Sequence, residues 1–346
     1  VSKKNLLIIL NDNNFSISKT RGALSYYLTK LITMPALTKS KEEIKEMIEK
    51  MPGGDQIIRV GKNIEQKTRY FVTPGVFFEK LGIQYFGPID GNDINHLIDV
   101  LKNVLEHEGP TILHAITQKG KGYAPAENNP EKFHSIGPFD INTGQMLSEE
   151  KSTGFFVGKI LEDVGEKNDF YVITSAMEYG LGFDGFAKKF PARFFDVGIA
   201  ESHSLIFASG IAKTGNSVFV GIYSTFLQGT YDQIFHDISL QKASVVILVD
   251  RAGIISGDGP THQGIYDIAF LRTIPEIVIF SPYSLENLTT IIQSTFDCKK
   301  PIVIRYPKEL LPEKLEKISQ NSSKIICLAL GSLAFTAKQA CVQLNN

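Results

Sequence analysis

Apolar residues recur along this chain in two registers, short continuous runs and runs spaced at three and four. Leu6 to Leu10 is a continuous apolar run, the pattern of a central parallel strand buried on both faces. Ile94, Leu97, Ile98, Leu101, Val104 and Leu105 instead share one helix face, which ends at Gly109 and Pro110 before a strand over Thr111 to Thr117. Pro74 suits the first turn of a helix running through Leu81, because its fixed φ and missing N–H carry no penalty there. A helix over 154–165 opens a second series, with strands near 170–174, 217–222, 244–249, 277–280 and 301–304. This alternation predicts an α/β class: consecutive domains with mostly parallel sheets covered by helices.

The intervening stretches divide the chain. Lys39 to Met51 reads as a charged surface helix broken by Pro52, Gly53, Gly54 and Asp55, and the region to Thr73 lacks periodicity and is expected to be mobile. From Gly120 to about Ser152 the composition shifts to Gly, Pro, Asn, Glu and Lys, a surface linker in its pattern. The parse is a first unit over 1–125, a linker over 126–152, a second unit over 153–315 and the opening of a third over 316–346. In that last part Lys324 to Leu330 reads as a strand and Ala334 to Gln343 as a helix, too little to close a core. The chain also opens directly on a strand of central type, so further sequence, or another chain, is expected to complete both ends.

Composition narrows the function. With 36 basic and 37 acidic residues among 346, the net charge of -1 gives no basic stripe for nucleic acid, so the partner is expected to be small. The three cysteines, Cys298, Cys327 and Cys341, are odd in number and lack metal-ligand spacing, which fits free thiols in a reducing cytoplasm. No apolar run is long enough to cross a bilayer, and the first residues carry no cleavable leader pattern.

The polar insertions of the second unit all follow strands: Thr174 to Gly182, Tyr223 to Gln228, Asp250 to Gln263 and Arg305 to Lys308. In a parallel sheet such loops share one edge, which brings Tyr223, Arg251, Asp258, His262, Arg305 and Lys308 into one neighbourhood. Each alone has an ordinary structural role; together they read as a site. Gly257, Asp258, Gly259 has the look of a metal triplet, but it lies within a longer loop with Pro260 and His262 behind it, so Asp258 reads as a carboxylate facing substrate. Glu201, between the strand ending at Phe195 and the apolar helix after it, has two readings: a charge suited to a helix N-terminus, or a buried acid that exchanges a proton with a ligand.

These motifs carry a resemblance. Asp196 to His203, Tyr223 to Gln228, Asp250 to Gly253 and Gly257 to Gly264 resemble the 1-deoxy-D-xylulose-5-phosphate synthases, thiamine-diphosphate enzymes of the transketolase superfamily. So do Asn11 to Asn13 with Phe15 to Ser18, Phe86 to Gly91, and Lys119 to Glu127 leading to His134. The resemblance implies a diphosphate-binding unit, a pyrimidine-binding unit and the start of a transketolase C-terminal domain in a homodimer. It implies that pyruvate loses carbon dioxide and is joined to glyceraldehyde 3-phosphate. Glu201 would hydrogen-bond the cofactor's aminopyrimidine, Phe226 would stack on it, Ile199 would touch it, and Lys119 would lie near the diphosphate. His134 and His262 would handle protons or hydroxyls, and Tyr223, Arg251, Asp258, Arg305 and Lys308 would hold substrate. Asn13, through its side chain, and Phe15, through its carbonyl, would ligate magnesium. A transketolase-like or 2-oxo-acid dehydrogenase component with another acceptor, and a catalytically incomplete partner subunit, are the other readings.

The chain departs from the family pattern at several places. It lacks the upstream Gly-Asp-Gly whose Asp is the main magnesium carboxylate, together with earlier histidines. Ser202 stands for the usual Gln, Gly229 for an Arg, Lys308 for an Arg and Leu181 for a Ser. Lys in place of Arg keeps the charge but loses the bidentate fork, so a weaker grip on phosphate is expected at Lys308.

Overall fold

A computed structural model describes residues 4–13, 15, 75–134, 136–147, 151–316 and 326–344. The chain forms two compact units, Val1–Gln145 and Met146–Asn346. The expected helix at 39–51, the expected mobile stretch at 52–73 and the motif residues Ser16 to Ser18 lie outside the described residues.

In the first unit, strands β1 (Leu6–Asp12), β2 (Gln84–Asp90) and β3 (Pro110–Ile116) form a parallel sheet of order β1-β3-β2. Among the described residues the apolar run at 6–10 is therefore an edge strand. Leu6 is 57% exposed and Ile9 55%, so among the described residues the strand expected to be buried on both faces is not covered on both. The centre of the sheet is β3, which has five consecutive buried residues. A continuous apolar run marks a strand but does not say which strands lie beside it. Helix α1 (Gly75–Lys80) and helix α2 (Ile94–Leu105) form where periodicity placed them. Asp93 caps α2 by accepting from the N–H groups of Asn95 and His96 at 3.1 Å each. Only Val104 of α2 is buried; Ile94, Ile98 and Leu105 of its apolar stripe are exposed.

The glycines of the Phe86 to Gly91 motif are explained by packing. Gly87 has φ 119, and a Cβ there would meet the His114 carbonyl oxygen at 2.5 Å. The stretch expected as a linker carries local structure, a short helix over Ala124–Asn128 and a 3-10 turn over Lys132–His134. Tyr123, Phe133 and Phe139 also pack there, with Phe133 and Phe139 centroids 5.4 Å apart.

The second unit holds a six-stranded, wholly parallel sheet of order β5-β4-β6-β7-β9-β8. Its strands are β4 (Phe170–Thr174), β5 (Phe194–Asp196), β6 (Ser217–Tyr223), β7 (Val245–Asp250), β8 (Val278–Phe280) and β9 (Ile302–Arg305). Helices α3 (Thr153–Gly165), α4 (Glu201–Lys213) and α5 (Leu285–Ser294) cover it. Ser152 and Ser284 cap α3 and α5 by accepting from Phe155 and Asn287 N–H groups. Every residue of β7 is buried, and Phe170, Phe183, Phe186, Phe219, Leu181 and Leu205 fill the core around it.

Residues 326–330 have no regular structure, so the strand expected over Lys324 to Leu330 is not seen in the part described. Extended backbone becomes a strand only with a pairing neighbour, which 326–330 lack among the described residues. The helix expected over Ala334 to Gln343 forms as α6 (Leu333–Leu344). No helix of the described residues is long and apolar enough to cross a membrane.

Candidate functional site

In the second unit β4 is flanked by the two strands that follow it in sequence, β5 on one side and β6 on the other. The chain changes direction across the sheet at β4. The crevice outside the carboxyl ends of strands at such a reversal is where open α/β sheets hold ligands.

At that edge the last residue of β7, Asp250, is fully buried, and Arg251 follows it in the left-handed backbone region with φ 58. Such a conformation costs a non-glycine residue about 1–3 kcal/mol and persists only when its surroundings enforce it. Here the enforcement comes from Asp250. Its Oδ1 accepts the Arg251 backbone N–H at 2.5 Å, and its Oδ2 accepts Arg251 Nη1 at 2.8 Å. Burial pushes the Asp250 carboxyl up to about 6, although the neighbouring Arg251 charge opposes the rise.

Arg251 joins three further elements. Its guanidinium lies 3.7 Å from the Tyr223 ring centre, Nη1 donates to the Gly180 carbonyl at 3.3 Å, and Nε donates to Asp258 Oδ2 at 3.3 Å. Lys308 Nζ donates to the other oxygen of Asp258. Burial works to raise the Asp258 carboxyl, but the Lys308 bond and the charges of Lys308 and Arg251 outweigh it and hold the group below its ordinary range. The Tyr223 phenol is pushed up to about 12, chiefly by burial.

Phe226 sits on the helical turn Ser224–Leu227 just after β6. Its ring stacks with Tyr223 at 5.8 Å, and the His262 ring lies nearly perpendicular to it with centroids 5.4 Å apart. Thr225 Oγ1 donates to the Thr261 carbonyl at 2.8 Å, which fastens the loop after β6 to the loop after β7. The structure thus brings Tyr223, Phe226, Arg251, Asp258, His262 and Lys308 together, as strand order predicted.

Arg305 is not in that group. It pairs with the buried Asp267, Nε to Oδ2 at 2.8 Å and Nη2 to Oδ1 at 3.4 Å, and Nη1 donates to Ser281 Oγ at 3.3 Å. Ser281 follows β8, the strand beyond β9, whereas Lys308, three residues after Arg305, reaches the loop after β7.

Glu201 is the first residue of α4 and is half-buried; the cap position is Ala200, which has no side-chain acceptor. The Glu201 carboxylate makes no ion pair among the described residues. What fixes it is Asp196. Oδ1 of that buried carboxylate accepts the N–H groups of Ala176 at 2.8 Å and Gly198 at 2.9 Å, tying the ends of β4 and β5 and setting the turn into α4. Ile199 lies exposed on that turn. Thr174 Oγ1, Ser175 Oγ and Ser224 Oγ, at the carboxyl ends of the adjacent β4 and β6, are buried with no hydrogen-bond partner among the described residues. Buried hydroxyls left unpaired are uncommon, and these three fall at the carboxyl edge of the sheet.

The first unit carries a second set of candidates. Asn13 Oδ1 accepts the Phe15 N–H at 2.9 Å, which shapes the turn after β1. Side-chain amide and backbone carbonyl oxygens are suitable hard donors for magnesium, yet neutral ones, and the described residues hold no cluster of three or more His, Cys, Asp or Glu able to bind a metal. The residues fit part of such a site. Lys119 Nζ lies 3.0 Å from His134 Nδ1 and 5.8 Å from the Phe15 ring centre. Burial lowers the Lys119 ammonium and the His134 imidazole from their usual values, the Lys119 charge adding to the effect at His134.

Sequence reasoning gave no separate role to Asp250, Gly180 or Tyr306. A Cβ on Gly180 would meet the Tyr223 hydroxyl oxygen at 1.9 Å, so that glycine makes room for the phenol. Tyr306 is fully buried, and its hydroxyl has no partner among the described residues. An acidic residue ending a continuous apolar strand was the available signal for Asp250. Of the departures, Leu181 is a fully buried core residue, and Gly229 is exposed with nothing within 4 Å of a Cβ.

Comparison with known proteins gives two family matches. Residues 1–117 match 1-deoxy-D-xylulose-5-phosphate synthase, and residues 149–314 match the transketolase pyrimidine-binding domain. A 1-deoxy-D-xylulose-5-phosphate synthase of Caldanaerobacter subterraneus subsp. tengcongensis is 46% identical over 310 residues, 89% of this chain and 50% of that protein. One from Syntrophomonas wolfei is 44% identical over 306 residues, 88% of this chain and 48% of that protein. One from Pelotomaculum thermopropionicum is 39% identical over 353 residues, 98% of this chain and 55% of that protein. The chain spans about half the length of the curated relatives it matches.

Proposed function

This chain belongs to the 1-deoxy-D-xylulose-5-phosphate synthase family, and from that we propose that its protein condenses pyruvate with glyceraldehyde 3-phosphate, releasing carbon dioxide, to give 1-deoxy-D-xylulose 5-phosphate. The observation that carries the reading to the site is the cluster of Tyr223, Arg251, Asp258 and Lys308 beside Phe226 and His262 at the carboxyl edge of the parallel sheet.

Thiamine diphosphate, when bound, supplies the nucleophilic carbon and the electron sink of the condensation. The chain's residues bind, orient and move protons. Glu201, with no ion pair among the described residues and placed at the start of α4 by the Asp196 turn, would share a proton with a ring nitrogen of the aminopyrimidine. Phe226 offers its ring as a stacking face, and Ile199 adds an apolar contact on the turn before Glu201. Arg251 and Lys308 hold the acceptor's phosphate, with Tyr223 fixing the plane of the guanidinium. His262, and His134 of the first unit, act on hydroxyl protons. Asn13 and Phe15 would contribute two neutral oxygens to a magnesium ion. We assign Arg305 to the fold rather than to substrate, because Asp267 and Ser281 engage its guanidinium. A homodimer working in the cytoplasm completes the proposal.

The test uses protein expressed from the complete gene, supplied with thiamine diphosphate, magnesium, pyruvate and glyceraldehyde 3-phosphate. Carbon dioxide and deoxyxylulose phosphate should form together. Carbon dioxide without the sugar phosphate would show another acceptor, and neither product would refute the reading.

A further inference from the structure

The four charged side chains around Arg251 sum to zero, Asp250 and Asp258 against Arg251 and Lys308. That balance is awkward for a site meant to receive a doubly charged anion. Asp250 cannot be the group that yields, because it is fully buried and holds both the backbone N–H and the guanidinium of Arg251. Asp258 is differently placed. Its two oxygens receive one cation each, Lys308 on Oδ1 and Arg251 on Oδ2, the way a phosphate would present two oxygens to the same pair.

The segment that carries Asp258 is built to move it. Gly257 and Gly259 flank it with φ 85 and 76, and neither has an atom within 4 Å of where a Cβ would stand. The base of the loop is pinned by the Gly253 to Gly264 bridge and by Gln263, which bonds Ile255 in both directions at 2.9 Å. At the tip the Asp258 carboxylate is held by the two cations, while the backbone beside it is held by Gln263 Nε2, which donates to the Gly259 carbonyl at 3.0 Å, and Ser256 Oγ donates to Glu309 at 3.3 Å. Arg251 Nη2 makes no hydrogen bond among the described residues, so one face of the fork remains for an arriving ligand.

We infer that Asp258 is a built-in counter-anion lying in the phosphate position of this site, and that a phosphate monoester enters by displacing it from Arg251 and Lys308. The inference rests on the proposed function for the identity of the acceptor, and it adds how the acceptor is selected. A dianion placed against both cations with Asp258 still there would face a like charge at contact distance. Once the tip swings away, Arg251, Lys308 and Asp250 leave a net charge of one positive unit, by two cations less one carboxylate. A singly charged carboxylate competes poorly with Asp258 for two cations, whereas a phosphate dianion competes well. The loop thus discriminates phosphorylated acceptors from carboxylates such as pyruvate.

Titration calorimetry of inorganic phosphate into the complete protein at pH 7.5 and low salt, for wild type, Asp258→Asn and Asp258→Asn/Lys308→Gln, tests this. The apparent affinity of a site closed by its own group is reduced by the fraction of time it is open, so Asp258→Asn should bind phosphate about fivefold or more tighter, and the double variant should lose the gain. Equal or weaker binding in Asp258→Asn, as for a carboxylate that itself contacts ligand, would overturn the inference, and so would no binding in any form. Should Asp258→Asn fail to fold, Asp258→Ser is read in the same way. Thermal unfolding gives a second readout: added phosphate should raise Tm more in the Asp258 variant than in wild type. Absence of deoxyxylulose phosphate in the turnover test with the phosphate effect intact would refute the reaction and leave this anion site standing.

Discussion

The hydroxyl of Tyr223 occupies the space that a side chain on Gly180 would fill, and the carbonyl of Gly180 accepts a hydrogen bond from the Arg251 guanidinium stacked on the Tyr223 ring. One glycine therefore sets the height of an aromatic shelf, and the shelf sets the arginine. Adding a methyl group there, Gly180→Ala, forces overpacking and should destabilise by about 1–3 kcal/mol. Tyr223→Phe removes the clashing oxygen, so the double variant should lose less than the sum of the singles, as measured by denaturant unfolding. Strict additivity would mean that the loop relaxes away from the ring.

Asp250 should write a signature into stability against pH. Its folded carboxyl is raised to about 6 from 3.8, mainly by burial, so between those values the folded state binds more protons than the unfolded one. Stability is then lowered in full above about pH 6, and the penalty is relieved as pH falls toward 3.8. The difference in unfolding free energy, wild type minus Asp250→Asn, should rise as pH drops from 7 to 4, by at most about 1.4 kcal/mol per pH unit. A flat difference curve would show that Arg251 keeps Asp250 ionised throughout.

Arg305 and Lys308 should separate by phenotype. Asp267→Ala leaves the Arg305 charge buried without its carboxylate, and its cost should be about 3–5 kcal/mol in thermal or denaturant unfolding. Lys308→Gln removes a partly exposed cation and should change stability by about 1 kcal/mol or less, while it raises the KM for a phosphorylated acceptor. Loss of acceptor affinity without loss of stability in Arg305→Met would restore Arg305 to the substrate site.

Glu201→Ala separates the two readings of that carboxylate. As a charge at the start of α4 it is worth about 0.3–1 kcal/mol, so unfolding should change little. As the proton partner of the aminopyrimidine its loss should lower turnover by about two orders of magnitude or more. Wild-type turnover in this variant would return Glu201 to a structural role.

Much of this was present in the order of residues. Continuous apolar runs located β4, β6, β7, β8 and β9 to within a residue or so, because a strand in a parallel sheet must be apolar on both faces. The same rule put Tyr223, Arg251, Asp258 and Lys308 on one edge, since loops that follow parallel strands cannot lie elsewhere. Only the tertiary structure decided which neighbours those residues would have. Leu6 to Leu10 reads as a central strand, while among the described residues β3 takes the centre of that sheet, because strand order is a property of the packed chain rather than of any one run. Arg305 and Lys308 differ by three positions in sequence and nothing in their local pattern separates them. Arg305 ends β9 and turns toward β8 and Asp267, whereas Lys308 lies beyond the strand and reaches Asp258 on the loop after β7. Hydrophobic pattern is written by burial, which each residue feels alone. The pairing of charges depends on distances between loops, which exist only once the sheet has been assembled.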